Sequence, residues 1–292
     1  MIIANLVGGL GNQMFQYAAG RALSLERGVP LRIDVGEFSH HSIHQGFELG
    51  RVFAAPVALI ESADLYEVLG WRSFRPAMRV LSRPEARFIR GNSLVVEPHF
   101  HYFSGIKQVP SSCYLRGYWQ SERYFSTASD SIRADFTFCL PMSEKNEQVA
   151  AEISSAKAVS LHVRRGDYVN DPHTLSVHGV CSLEYYGRAV RYVAERVTDP
   201  IFFVFSDDTD WVKKHLQINH PCRYVDHNRG QESYNDMRLM SLCKHHIIAN
   251  SSFSWWGAWL NSGSDKIVVA PVRWFANNNR TDDLLPDGWM RL

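Results

Sequence analysis

Residues 2–34 constrain the fold more than any other stretch of the chain. Ile2-Ile3-Ala4-Asn5-Leu6-Val7 is an apolar run of strand length, broken by Gly8-Gly9-Leu10-Gly11-Asn12-Gln13. Met14, Phe15, Tyr17, Ala18, Ala19, Ala22, Leu23 and Leu25 then make a mostly apolar helix, ended by Gly28 and Pro30. Leu31-Arg32-Ile33-Asp34 reads as a second strand. Strand, glycine loop, helix and strand make a βαβ unit, the opening of a Rossmann-type parallel sheet. The glycine spacing is not G-x-G-x-x-G. Gly8, Gly9 and Gly11 allow a ligand to approach the backbone at a helix N-terminus, and they equally suit a tight turn with no ligand.

The same alternation runs through the rest of the chain. Strands are expected at residues 94–97, 113–116, 157–163, 200–205, 223–226, 246–250 and 266–271. Helical patterns cover 143–155, 183–196, 234–244 and 255–261. Strands alternating with helices indicate parallel sheets in an α/β protein. A length of 292 residues fits two domains of ordinary size, and the pattern restarts near 140–157. We therefore place one Rossmann-like half at 1–150 and a second at 151–292. The middle, from 38 to about 90, shows only short helical patterns. There Arg72, Arg75, Arg79 and Arg83 read as a solvated helix face, and His40, His41 and His44 as polar loop residues.

Composition narrows the class. A net charge of +1 gives no reason to expect nucleic acid, so any positive charge that matters must be local. The cysteine count of 5 is odd and includes no C-x-x-C unit, which argues against a disulfide framework and a structural zinc site. A reducing compartment is expected. There is no basic region followed by an apolar signal core, and no window approaches a membrane span.

Charge gathers where strands stop. The apolar run Ala158-Val159-Ser160-Leu161 passes into His162-Val163-Arg164-Arg165-Gly166-Asp167-Tyr168. Ser206-Asp207-Asp208, Asp226 and Ser251-Ser252-Phe253-Ser254 follow three later strands. Parallel strands put their carboxyl ends on one edge of a sheet, so these loops should converge. Together they complement a nucleoside diphosphate: guanidiniums and helix N-termini for phosphate oxygens, and a carboxylate for the N–H donors of guanine. Each loop alone has a plainer meaning. Arg164-Arg165 could be a surface turn, while Asp207-Asp208 and Ser251–Ser254 could simply cap helices. Asp207 and Asp208 are adjacent rather than spaced as Asp-x-Asp, so no metal site is expected.

Three blocks resemble the signatures of the α-1,2-fucosyltransferases of glycosyltransferase family 11. They are Gly8-Gly9-Leu10-Gly11-Asn12-Gln13-Met14-Phe15-Gln16-Tyr17, His162-Val163-Arg164-Arg165-Gly166-Asp167-Tyr168 and Asn250-Ser251-Ser252-Phe253-Ser254-Trp255-Trp256-Gly257-Ala258. Gly117-Tyr118-Trp119-Gln120-Ser121-Glu122 and residues 236–244 are similar to the same family, so the likeness spans residues 8 to about 271. It implies a GT-B glycosyltransferase fold, with two Rossmann-like domains facing a cleft. The N-terminal domain would take the acceptor and the C-terminal domain GDP-fucose. It further implies inverting, metal-independent transfer of L-fucose from GDP-β-L-fucose to the 2-hydroxyl of a galactoside, with no cofactor beyond the donor.

By the same resemblance, Arg164 would hold the β-phosphate and act on the leaving charge, with His162 on the nucleotide side. Arg165 would assist with phosphate, Asp207 would read guanine, and Ser252 and Phe253 would face the diphosphate. Gly11 and Asn12 would reach the donor from the first domain. Asp167 is the expected general base, unless it orients Arg164 or Arg165; His173 and His178 are lesser candidates. The expected acceptor is a galactoside oligosaccharide or lipid-linked glycan, and nucleic acid is not a partner. A bacterial cytoplasmic enzyme of O-antigen or other surface-glycan synthesis would meet its acceptor by peripheral contact at the inner face of the plasma membrane. A fucosyltransferase of another linkage, a transferase of another GDP-sugar and a non-catalytic carbohydrate-binding protein are the alternatives.

Overall fold

The computed structural model describes residues 1–39, 45–166, 169, 171–277 and 279–292. His40, His41, His44 and Asp167 lie outside the described residues, as does the side chain of His173. The chain divides into two units, Met1–Leu140 with Arg280–Leu284, and Pro141–Asn279 with Leu285–Leu292. The division falls before the helix Glu144–Ser155 because Val149 and Ile153 of that helix pack into the second unit's core.

The first unit is built on four parallel strands: β1 (Ile2–Asn5), β2 (Leu31–Asp34), β3 (Leu94–Val96) and β4 (Cys113–Arg116). Their order is β2-β1-β4-β3. β1 is buried at every residue, which explains its unbroken apolar run. The helix Leu10–Arg27 carries the chain from β1 to β2 and ends on Gly28, whose φ of 64° is the left-handed conformation that glycine accepts without strain. It begins at Leu10, four residues ahead of the apolar pattern at Met14, so Gly11 and Asn12 belong to its first turn.

The second unit holds β5 (Lys157–Val163), β6 (Pro200–Ser206), β7 (Cys222–Val225), β8 (His245–Ile247), β9 (Val268–Ala270) and β10 (Met290–Arg291). All pairings are parallel, in the order β10-β9-β8-β5-β6-β7. Helices cover both faces. Val159, Leu161 and Val163 pack with Tyr185, Tyr186, Ala189 and Val193 of the helix Leu183–Ala194. Ala158, Phe203 and Phe205 pack with Val149, Ile153, Leu239 and Met240 on the other side.

From β5 the sheet grows through β6 and β7 in one direction and through β8, β9 and β10 in the other. The point where strand order reverses sits between β5 and β8. The loops leaving such neighbours diverge to opposite faces and open a crevice at the carboxyl edge, where ligands of doubly wound sheets bind. Behind it lies the helix Ser252–Leu260, held by Trp255, Trp256 and Trp259, each at most 2% exposed. Trp255 stands 4.9 Å from Trp256 and 5.5 Å from Trp289, ring centre to ring centre.

Candidate active site

In the second unit, the reversal point brings together two of the four loops that the sequence singled out. His162 is the penultimate residue of β5, and Ser251 caps the helix that follows β8. The helix starts at Ser252, not at Trp255, so Ser252 and Phe253 are its first turn rather than a preceding loop. Ser251 Oγ accepts from the Phe253 N–H at 3.3 Å, which directs that N–H inward to the cap. The rings of His162 and Phe253 lie 5.9 Å apart. Asn250 fixes the loop between β8 and the helix, its amide donating to the carbonyls of His178 at 2.9 Å and Trp274 at 3.1 Å. The His178 ring itself packs 5.3 Å from Phe275.

Two buried histidines on neighbouring strands separate structure from site. Ser160 Oγ stands 2.8 Å from His246 Nδ1, and Asn261 Nδ2 lies 2.8 Å from His246 Nε2. Both ring nitrogens of His246 are thereby engaged. His162 is 4% exposed, yet its Nδ1 has no partner among the described residues. Burial first, and then the Arg164 charge beside it, lowers its pKa to about 3. His162 is therefore a neutral imidazole at physiological pH, and a buried polar nitrogen without a partner is costly unless a ligand completes it.

The two arginines have different surroundings. Arg164 Nη1 lies 3.2 Å from Asp207 Oδ2, with both side chains about one quarter exposed. Asp207 Oδ1 accepts from the backbone N–H of Arg165 at 2.9 Å. Asp207 therefore clasps the loop leaving β5 rather than capping the next helix, a task that falls to Asp208, which accepts from the Trp211 N–H at 3.3 Å. The clasp also explains Gly166: a Cβ there would stand 2.8 Å from Asp207 Oδ2. Arg165 lies flat on Trp211, its guanidinium carbon 3.4 Å from the ring centre, with Nε 3.4 Å from Asp208. Stacking and ion pairing fix it against the helix Thr209–His215. Asp226, also expected at this edge, is paired with Lys213 at 2.9 Å. Among the described residues, no three His, Cys, Asp or Glu side chains gather as a metal site would require.

The first unit has its own reversal point, between β1 and β4. Asn12, in the first turn after β1, accepts from Gln120 Nε2 at 2.8 Å, which joins the two loops. Gln13 stabilises the glycine loop, donating to the carbonyls of Gly8 at 3.0 Å and Gly46 at 2.8 Å, while Gln16 accepts from the Val7 N–H at 2.9 Å. Gly8 has φ 77° and faces Asn12, so both strain and space exclude a side chain there.

Beside this loop stands a residue that the sequence reading passed over. Glu97 directly follows β3 and accepts from the backbone N–H groups of Tyr118 at 2.7 Å and Trp119 at 3.0 Å. Trp119 is held at φ 54°, unusual for a side chain of its size. A Cβ on Gly117 would fall 2.4 Å from Glu97 Cβ, so only glycine lets the carboxylate approach. Burial raises the Glu97 pKa to about 7 in spite of those two donors. The available signal was an acid immediately after an apolar strand, the same pattern that marked Asp207. Asp236 is also raised to about 7 by burial, but it accepts from Asn228 at 2.8 Å, and Asn228 is bound to Asn146 of the helix Glu144–Ser155. That network anchors a helix.

Comparison with known proteins gives the family. The glycosyl transferase family 11 model matches residues 99–292. The chain belongs to this family. An α-1,2-colitosyltransferase of Escherichia coli is 35% identical over 294 aligned residues, spanning 100% of this chain and 99% of that protein. The O-antigen biosynthesis glycosyltransferase WbnK of Escherichia coli is 36% identical over 98% of this chain and 99% of its own length. Among solved structures, the NodZ α-1,6-fucosyltransferase soaked with GDP-fucose matches with a TM-score of 0.55 at 16% identity, covering 89% of this chain and 91% of that one. At that identity the likeness speaks for the fold, which is the GT-B architecture of two α/β units with parallel sheets. The family 11 model covers the whole second reversal point, including His162, Arg164, Asp207 and the Ser251 cap, but begins after Glu97.

Proposed function

We propose that this glycosyltransferase moves L-fucose, with inversion, from GDP-β-L-fucose to the 2-hydroxyl of a galactoside during synthesis of a bacterial O-antigen glycan. The observation that carries this reading is the meeting of Arg164, His162 and the Ser251-capped helix at one reversal point, where the buried His162 Nδ1 has no partner among the described residues. The second unit would hold the donor and the first unit the acceptor. Arg164 faces the β-phosphate. As the fucose C1–O bond breaks, negative charge grows on the departing GDP, and a fixed guanidinium stabilises that charge more in the transition state than before it. Asp207 orients Arg164, and we assign it this task in place of reading guanine. Arg165, fixed on Trp211, holds the loop in position rather than meeting phosphate. His162, neutral, offers its ring to the nucleotide, and Ser252 with the helix N-terminus meets the diphosphate. Gly11 and Asn12 are the contribution of the first unit to the donor. With the arginine supplying positive charge, the reaction needs no metal, and chelation should leave the rate unchanged.

The acceptor hydroxyl must lose its proton as its oxygen attacks C1. Glu97 has the properties such a base needs: a carboxylate at the carboxyl edge of a sheet, with a pKa near the working pH. Asp167, the candidate from sequence, remains the competing assignment, and Glu97→Gln against Asp167→Asn separates the two.

One observation favours a second donor. The colitosyltransferase matches this chain from end to end at 35% identity. Colitose lacks the 3-hydroxyl of fucose, so the two donors differ by one polar group. The purified enzyme should be offered GDP-fucose, GDP-colitose and GDP-mannose with a panel of β-galactosides, and the linkage of the product read by NMR. Fucosyl transfer at O2 is expected. Preference for GDP-colitose would transfer the assignment to the second donor, and turnover of GDP-mannose alone would overturn both.

A further inference from the structure

The arginines near residue 80 are more than a solvated helix face. Arg72 lies in the turn Gly70–Ser73, Arg75 and Arg79 on the helix Arg75–Leu81, Arg83 just before the turn Pro84–Phe88 and Arg87 within it; the helix Ser62–Leu69 precedes them. The inner side of these elements packs normally, with Val68, Leu69, Met78, Leu81 and Ala86 buried against Ile3, Leu94 and Tyr114 of the sheet. The outer side is apolar as well. Tyr66 is 69% exposed, Trp71 63%, Phe74 68%, Phe88 82% and Ile89 66%. Among the described residues these are the five most exposed large hydrophobic side chains, and all fall within one short stretch of chain. Scattered exposed hydrophobics need no explanation, but a run of this kind marks an interaction surface. Tyr66, Trp71 and Phe74 also line an open hollow of about 1030 Å³.

Charge identifies the partner. Residues 66–90 carry Arg72, Arg75, Arg79, Arg83, Arg87 and Arg90 against the acids Glu67 and Glu85, in a chain whose net charge is only +1. Arg90 is buried and bonded to the Arg83 carbonyl, whereas Arg75, Arg79, Arg83 and Arg87 are exposed. Arg72 lies 5.3 Å from the centre of the Trp71 ring and Arg87 4.4 Å from that of Phe88. A second copy of the chain is a poor occupant, because a two-fold contact would set this basic patch against itself. Exposed aromatic side chains that can enter an interface, interspersed along the chain with exposed arginines that can reach phosphate, match an anionic bilayer.

We propose that residues 66–89 form a docking surface for an anionic membrane. The surface is independent of which sugar is transferred, so the fucosyl reading and this one can fail separately.

The test is co-sedimentation of the full chain with vesicles of phosphatidylcholine, alone or mixed with phosphatidylglycerol, at low and high salt. The mixed vesicles should take up the protein, and salt should release part of it. Two variants are compared with the parent: Trp71→Ser/Phe74→Ser/Phe88→Ser, and Arg75→Gln/Arg79→Gln/Arg83→Gln/Arg87→Gln. Each should lower partitioning at least about tenfold, since one arginine near an anionic surface is expected to contribute about fivefold. Both should keep the parent's transfer rate toward a soluble acceptor, which shows that they are folded. Uptake equal in parent and variants, or no uptake on either vesicle, overturns the proposal. So does concentration-dependent self-association that the variants abolish, which would make the occupant a second copy.

Discussion

The two sheets present opposite chemistry at equivalent places. Each has a reversal of strand order, and each gathers polar side chains there, but the second unit gathers Arg164 and an imidazole unpartnered among the described residues, while the first gathers amides and Glu97. One edge is basic, while the other offers amides and a carboxyl whose pKa burial raises to about 7. The architecture is alike in the two units, and the difference lies in a few residues just past the strand ends.

The contrast is broken most directly at Arg164. Arg164→Ala removes the guanidinium from the developing phosphate charge and should cost about 3–4 kcal/mol, roughly 10²–10³-fold in kcat/KM for transfer. A near-normal rate would sink the assignment of the basic edge. Glu97→Gln should lower kcat about 10²-fold. In the parent, activity should rise with pH through about 7 as the carboxyl ionises, and the variant should lose that limb. The stability profile reports the shifted ionisation itself, and the pH-rate profile separates a base from a purely structural role. The pKa of Glu97 is raised on folding from 4.5 to about 7, so its contribution to stability is full below 4.5 and is lost as pH rises through 7. A flat stability profile in Glu97→Gln with an unchanged pH-rate profile would make Glu97 only a clasp for Trp119. Asp207→Asn has the smallest expected effect, about threefold to fivefold on the donor KM, because the Arg164 pair it weakens is partly exposed. An equal loss for GDP-fucose and for other purine nucleoside diphosphate sugars would fit a clasp, whereas a loss confined to guanine would restore the base-reading role.

Much of the sheet framework was legible because apolar strands end abruptly. β2, β4 and β5 cover the residues expected of them, since each run is bounded by a turn former or a charge. The helix starts at Leu10 and Ser252 were less legible. First-turn residues lack intrahelical acceptors for their N–H groups, so Gly11, Asn12 and Ser252 fit there while looking like loop. The stretch from 62 to 88 resisted because its helices and turns are of at most 8 residues, too short to establish a period. β10 pairs through only Met290 and Arg291, below any pattern a sequence displays.

Of the candidate site, the strand-end rule placed Arg164, His162 and Asp207 at one sheet edge, as the structure does, but could not say who faces whom. Asp207 grips Arg164 and the Arg165 N–H, and Arg165 lies on Trp211, a partner beyond the motif. Glu97 was hidden for a different reason. Its ionisation is set by burial under Tyr118 and Trp119, a consequence of tertiary packing around Gly117 rather than of neighbours in sequence.

The tryptophans behind the Ser251 cap give the second unit an optical signal of its own. Trp255, Trp256, Trp259 and Trp289 are half of the chain's 8 indoles and stand within energy-transfer distance of one another. Light absorbed by any of them migrates through the group before it is emitted. Trp255, Trp256 and Trp259 lie within about two turns of Ser252 on the same helix, so the native chain carries fluorophores close to that helix end.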